Sequence, residues 1–297
     1  MKTQQDNNMR VAGFTIVRNA VRYDYPIVES IRSALPLVDE MVVAVGQCED
    51  GTRELVESID DDKIRIIDTV WDDKIRTGGT VLAQQTNLAM KHCEGDWLLY
   101  LQADEVLHEA DYGKIRKSME KHQVNNSVEG LSFRYHHFIC DYSIRDPLPY
   151  RRQIRIVKPG IGVRSHGDAC GFRIHDRKLR KANTGAWVFH YGYVRPPESL
   201  TAKMDYFLSL YDGREVIPGE EQNELLQQYN LSTAEPFHGS HPEIMSERIA
   251  AKDWDTPPVP LLSRWRNPRY WKGMVYKNSR TIRRLLGMKA ENHSKAA

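Results

Sequence analysis

The first part of the chain alternates between two hydrophobic rhythms. Val11-Ala12-Gly13-Phe14-Thr15-Ile16-Val17, Met41-Val42-Val43-Ala44-Val45 and Ile64-Arg65-Ile66-Ile67-Asp68 are continuous apolar, largely β-branched runs of strand length. Between them Ile27, Ile31, Ala34 and Leu35 fall at helical spacing before Pro36. Leu55, Val56 and Ile59 do the same behind Asp50, a helix-capping residue. A β-α-β-α-β order with strands apolar on both faces predicts an α/β fold with a mostly parallel sheet flanked by helices. Right-handed crossovers then bring the loops after the strands to one edge. A fourth helix-strand pair follows: Val81, Leu82, Leu88, Ala89 and Cys93 form a stripe, and Trp97-Leu98-Leu99-Tyr100-Leu101 runs straight into Gln102-Ala103-Asp104-Glu105.

Ligands of such sheets collect beyond the carboxyl ends of the strands, which places chemistry at Asp104. A carboxylate there can hold a divalent cation, and the cation can neutralise a substrate diphosphate. The plainer alternative is a turn in which Asp104 or Glu105 caps a helix starting near Glu109. The long loop Trp71–Thr80 contains Gly78-Gly79, which lets backbone N–H groups approach a ligand. Neither a Gly-x-Gly-x-x-Gly fingerprint after the first strand nor a P-loop is present, which disfavours dinucleotide cofactors and P-loop chemistry.

Later segments are strand-like at Gly130–Tyr135, Arg151–Lys158 and Ala186–Arg195. Arg151–Lys158 alternates basic and apolar residues, so Arg155 on a crevice-facing side would meet phosphate in a bidentate geometry. His136 and His137 are adjacent on a strand and point to opposite faces, which prevents a shared metal. Leu200, Met204, Phe207, Leu208 and Tyr211 form one more helical stripe.

Composition adds limits. The formal net charge of +2 over 297 residues gives no global pull towards nucleic acid. The four cysteines are dispersed and read as reduced side chains. No apolar run has bilayer length and Met1–Asn8 leads into no signal-peptide core, so a cytoplasmic location is expected. Near-neutrality hides a basic end: Leu261–Lys289 holds nine Lys or Arg and no acid among Trp and Tyr residues, behind a Pro-rich linker at Asp255–Pro260. That helical tail suits the anionic inner face of a membrane, or packing on the rest of the protein. The division expected is a catalytic domain at 9–215 and an extension at 216–297.

Taken in order, Arg18-Asn19 after the first strand, Glu49-Asp50-Gly51-Thr52 after the second, and Trp97–Glu105 resemble family 2 glycosyltransferases of the GT-A (Rossmann-like) fold. The resemblance implies a transferase moving a sugar from a nucleotide-sugar donor to a saccharide or lipid-linked acceptor in glycan synthesis. It implies donor contacts at Thr15, Val17, Arg18, Asn19, Gln47, Asp50, Gly78, Gly79, Gln102 and Arg155. It also implies Mn²⁺ or Mg²⁺ held by Asp104, with His190 as a late second ligand. Two departures stand out: Gln47 replaces an acid after the second strand, and Gln102 replaces the first acid of Asp-x-Asp. An inverting reaction needs a base for the acceptor hydroxyl, and Asp168, in the Gly-flanked stretch Ser165–Arg173, is the candidate. A nucleotidyltransferase would carry a Gly-rich basic loop after the first strand, which Arg18-Asn19-Ala20 is not. A binding protein of the same fold that has lost its chemistry is the other alternative.

Overall fold

The computed structural model describes residues 9–212 and 233–256. Its parallel half is β1 (Val11–Val17), β2 (Glu40–Gly46), β3 (Ile64–Thr69) and β4 (Trp97–Tyr100), linked by α1 (Ile27–Ala34), α2 (Thr52–Glu57) and α3 (Thr80–Lys91). Both faces of these strands are buried, and alternate residues serve opposite cores. Val11, Val17, Val43, Val45 and Leu99 pack with α1 and α2, whereas Phe14, Ile16, Val42, Ala44 and Tyr100 pack on the α3 side. Each buried Val, Leu or Ile contributes about 1.5–3 kcal/mol, which explains why the strands read as unbroken apolar runs.

The chain continues through β5 (Glu105–Leu107), α4 (Tyr112–His122), β6 (Gly130–Ile139), β7 (Asp141–Asp146) and β8 (Arg152–Val157). A small separate sheet holds β9 (Val163–His166), β10 (Gly171–Ile174) and β11 (Arg177–Lys178), before β12 (Lys181–Tyr193) and α5 (Pro197–Asp212). The main sheet runs β13-β7-β6-β8-β4-β1-β2-β3, where β13 is Glu235–Pro236, and β12 pairs with both β5 and β6. Strand β8 lies antiparallel between β4 and β6.

Two expectations change here. A 3-10 turn does begin at Glu109 (Glu109–Asp111) and leads into α4, but His108 caps it, while Glu105 enters β5. Residues 233–256, counted with the extension, pack on the sheet: β13 pairs with β7, Met245 is buried, and Arg248 of α6 (Ser246–Ala250) bridges Asp24 and Glu29. The boundary after 215 therefore separates segments that touch. The Pro-rich linker from Pro257 and the basic tail lie outside the described residues. No described helix is long and apolar enough to cross a membrane.

The paired histidines of β6 do face apart. His137 meets His190, and the His136 ring stacks on Trp187 at 4.1 Å. Burial first, then Arg145, pushes the His136 pKa down to about 3, and Arg145 Nη1 donates to its Nδ1 at 2.7 Å. A depressed folded pKa stabilises above the unfolded value of about 6.5, and that contribution is lost as pH falls towards 3. We expect His136→Phe to flatten the fall in melting temperature between about pH 6.5 and pH 4, as thermal scans across pH would read.

Candidate active site

Beyond the carboxyl ends of β1 and β4 lies a cavity of about 240 Å³, walled by Arg18, Asp104, Asp168, His190, Lys203 and Tyr206 among others. Register brings the first two candidate ligands together. β12 runs antiparallel to β5 with His190 opposite Glu105, and Tyr191 N donates to Asp104 O at 2.8 Å. Asp104 Oδ1 then sits 3.7 Å from His190 Nε2.

The hydrogen-bond network fixes the histidine tautomer. His137 Nε2 lies 3.0 Å from the Tyr150 carbonyl, which only accepts, so this nitrogen carries the proton. His137 Nδ1 must accept from His190 Nδ1, 3.2 Å away. That leaves His190 Nε2 with a lone pair aimed at Asp104. Burial holds His190 neutral, pushing its pKa down to about 3 against the pull of Asp104. Two electron-pair donors thus face each other at a spacing that a cation with ligand bonds of about 2.0–2.2 Å can bridge. No third His, Cys, Asp or Glu joins them among the described residues. A cation here would take its remaining ligands from substrate oxygens and water, as Mg²⁺ commonly does.

The second carboxylate oxygen is already engaged. Lys203 Nζ, on α5, donates to Asp104 Oδ2 at 3.0 Å and to Gly192 O at 2.7 Å, between the rings of Tyr25 and Tyr193. Burial alone would raise the Asp104 pKa, but Lys203 foremost holds it well below the ordinary carboxylate range. Burial and nearby Arg195 push the Lys203 ammonium down to about 8, with Asp104 opposing them. Gly192 permits this packing, because a Cβ there would lie 2.5 Å from His190 Cε1 and 3.1 Å from Asp104 Oδ2.

Asp168 also lines the cavity, in a turn held by two positive-φ residues, Gly167 at 63° and Ala169 at 62°. For alanine this conformation costs on the order of 1 kcal/mol or more, a strain typical of functional turns. Asp168 accepts from Tyr211 OH at 2.7 Å and from Cys170 N at 3.3 Å. α5 therefore grips three site residues from one face: Lys203 holds Asp104, Tyr206 OH lies 3.4 Å from Arg18 Nη1, and Tyr211 holds Asp168.

The expected donor contacts divide. Val17, Arg18 and Gln102 line the cavity, while Asn19, Gln47 and Asp50 line an adjoining groove that shares Arg18. Arg18 donates to Gln47 O at 3.0 Å and pairs with Asp73 at 2.7 Å. Asp50 accepts from Arg22 N, Thr52 N and Thr52 Oγ1. Four residues are placed otherwise. Thr15 is fully buried inside the sheet. Gly78 N and Gly79 N donate to the carbonyls of Tyr211 and Leu210, closing the last turn of α5 instead of facing a ligand. Arg155 is fully buried and forked onto Glu105, with Nε–Oε2 and Nη2–Oε1 both 2.6 Å, because β8 is an interior strand. It reaches the cavity wall through Gln102 Oε1, at 3.4 Å, and through the Cys170 carbonyl, to which Nη1 donates at 3.1 Å.

Lys203, Gly192 and Trp71 were not singled out from sequence, and His137 was read there only as one of a pair facing apart. Trp71 Nε1 is buried at the cavity wall without an acceptor among the described residues. The one sequence signal for Lys203 is its place inside the apolar stripe of α5, between Leu200 and Met204.

A parallel β3-β2-β1-β4 sheet continued by antiparallel strands, with a cavity holding Asp104 and Asp168 at its carboxyl edge, has GT-A architecture. The profile of glycosyl transferase family 2 matches residues 15–180, more than half of the chain, and the protein belongs to that family. Similar solved structures include S. aureus TarS, at 14% identity and TM-score 0.39 over 82% of this chain and 46% of that one. Another is glucosyl-3-phosphoglycerate synthase from Mycobacterium tuberculosis in complex with Mn²⁺, UDP and phosphoglyceric acid, at 15% identity and TM-score 0.38 over 72% of this chain and 81% of that one. A third is mannosyl-3-phosphoglycerate synthase from Rubrobacter xylanophilus, at 18% identity and TM-score 0.30 over 43% and 41%. The chain thus spans under half the length of the first and third. A search of curated proteins returns no match.

Proposed function

We propose that the protein transfers a sugar from a nucleoside-diphosphate donor to a hydroxyl of a saccharide or lipid-linked acceptor, with inversion at the anomeric carbon. The observation that carries this reading is the facing pair Asp104 Oδ1 and His190 Nε2, 3.7 Å apart inside a cavity that also contains Asp168. The groove of Asn19, Gln47 and Asp50 would take the nucleoside, and Arg18, shared by groove and cavity, would lie along the diphosphate. Gln47 offers a base edge both a donor and an acceptor. Trp71 Nε1, lacking a protein acceptor, would donate to a polar ligand atom.

Asp168 would accept the acceptor's hydroxyl proton as that oxygen bonds to the anomeric carbon and the bond to the diphosphate breaks. Tyr211 OH would keep the carboxylate aimed into the cavity. Mn²⁺ or Mg²⁺ between Asp104 and His190 would, when bound, offset charge on the departing diphosphate. The basic aromatic tail would hold the enzyme near lipid-linked acceptors at an anionic membrane surface, a reading that rests on its composition.

Incubation with a panel of sugar nucleotides is expected to release nucleoside diphosphate with at least one donor. Asp168→Asn should lower transfer by about 10²–10⁴-fold while donor binding persists. Absence of release with every donor would leave a binding protein of this fold.

A further inference from the structure

Lys203 is a buried ammonium within the donor cavity, carried on a helix that otherwise contributes apolar and tyrosine side chains to the wall. Its flexible four-carbon stem lets the ammonium move between partners without moving the backbone. The two partners it has are unequal: one is the carbonyl of Gly192, the other the carboxylate of Asp104. The same carboxylate, through its other oxygen, faces the lone pair of His190. A divalent cation seated there would stand against the lysine charge across a single acid, and the two positive charges repel. A nucleoside diphosphate brings enough negative charge to accommodate both.

We propose that Lys203 couples cation and donor binding: it neutralises Asp104 while the cavity is empty, and turns to the donor diphosphate when a divalent cation takes its place. The inference rests on the nucleotide-sugar reading above and adds a residue to it. The cation alone binds poorly because Lys203 competes for Asp104. The diphosphate draws the ammonium away, so each ligand strengthens the other by the same factor.

Calorimetric titration of the full chain with Mn²⁺, and with UDP, GDP and dTDP in turn as probes, tests this without any turnover. For wild type, Mn²⁺ is expected to bind at least about tenfold more tightly when a nucleoside diphosphate is present, and that diphosphate should still bind in EDTA. Lys203→Met should bind Mn²⁺ alone at least about tenfold more tightly than wild type and bind the diphosphate more weakly in EDTA. Lys203→Arg, which keeps the charge, should leave Mn²⁺ binding alone as weak as in wild type. If Lys203→Met gains no affinity for Mn²⁺ while the diphosphate still binds, the coupling role is overturned and the donor-site reading stands. Equal Mn²⁺ affinity of wild type with and without diphosphate overturns the role even where Lys203→Met fails to fold. If no diphosphate binds with or without Mn²⁺, the donor-site reading itself falls, and the inference with it.

Discussion

Asp104→Ala is expected to abolish sugar transfer and, unlike a surface substitution, to weaken the fold. Removing the carboxylate takes away one of the two facing electron-pair donors and leaves the Lys203 ammonium buried with a carbonyl as its remaining hydrogen-bonding partner. Breaking one side of a buried ion pair typically costs about 3–5 kcal/mol, whereas replacing both partners by apolar groups is often neutral. For a domain of this size such a loss lowers the melting temperature by on the order of 10 °C. The double variant Asp104→Ala, Lys203→Met should therefore recover much of the melting temperature while remaining inactive. Thermal scans together with donor turnover separate the two effects. A fully active Asp104→Ala enzyme would remove this carboxylate from the chemistry.

Arg155→Met should be the most destabilising single change in the sheet. Arg155 and Glu105 are both fully buried, and the guanidinium fork is joined by Tyr135 OH, which donates to Glu105 Oε1 at 2.9 Å. Without Arg155, Glu105 is left buried without its ion-pair partner, which again costs about 3–5 kcal/mol. Lysine should not rescue the variant, because a single ammonium cannot reproduce the planar two-point contact. The loss should extend to catalysis. Glu105 Oε2 accepts from Gln102 N at 3.2 Å, so the same pair fixes the turn that presents Asp104. Denaturant melts should show a lower midpoint, and the folded fraction should turn over donor more slowly. A variant with wild-type stability would mean that the pair contributes nothing net.

These two residues also show what the sequence could reveal. The position of Asp104 at the cavity was legible because a buried strand ending in acid is visible as a pattern, and the four parallel strands were legible from their unbroken apolar runs. Arg155 misled because alternation of basic and apolar residues signals a wet face. In β8 that face is buried as well, with Arg155 lying against the rings of Tyr100 and Tyr135, and the charge is met by an acid fifty positions away. Such a partner is a tertiary fact without a local signature. The same holds for β5, three residues long, which is a strand only because β12 lies beside it. Gly78 and Gly79 offered free N–H groups as a sequence, yet the fold spends them on the end of α5. Lys203 was hidden by its neighbours: within a stripe of Leu, Met and Phe, a lone lysine reads as a flank of the helix, and only the packing of α5 over Asp104 turns it inward.

The path of strands finishes differently at its two sides. At one margin β13 is two residues long and includes a proline, which lacks an N–H to offer a neighbour. At the other, β3 carries the exposed charges Arg65 and Asp68. Among the described residues, both are devices that discourage strand-by-strand docking of a second molecule at the margins of the ten-stranded sheet.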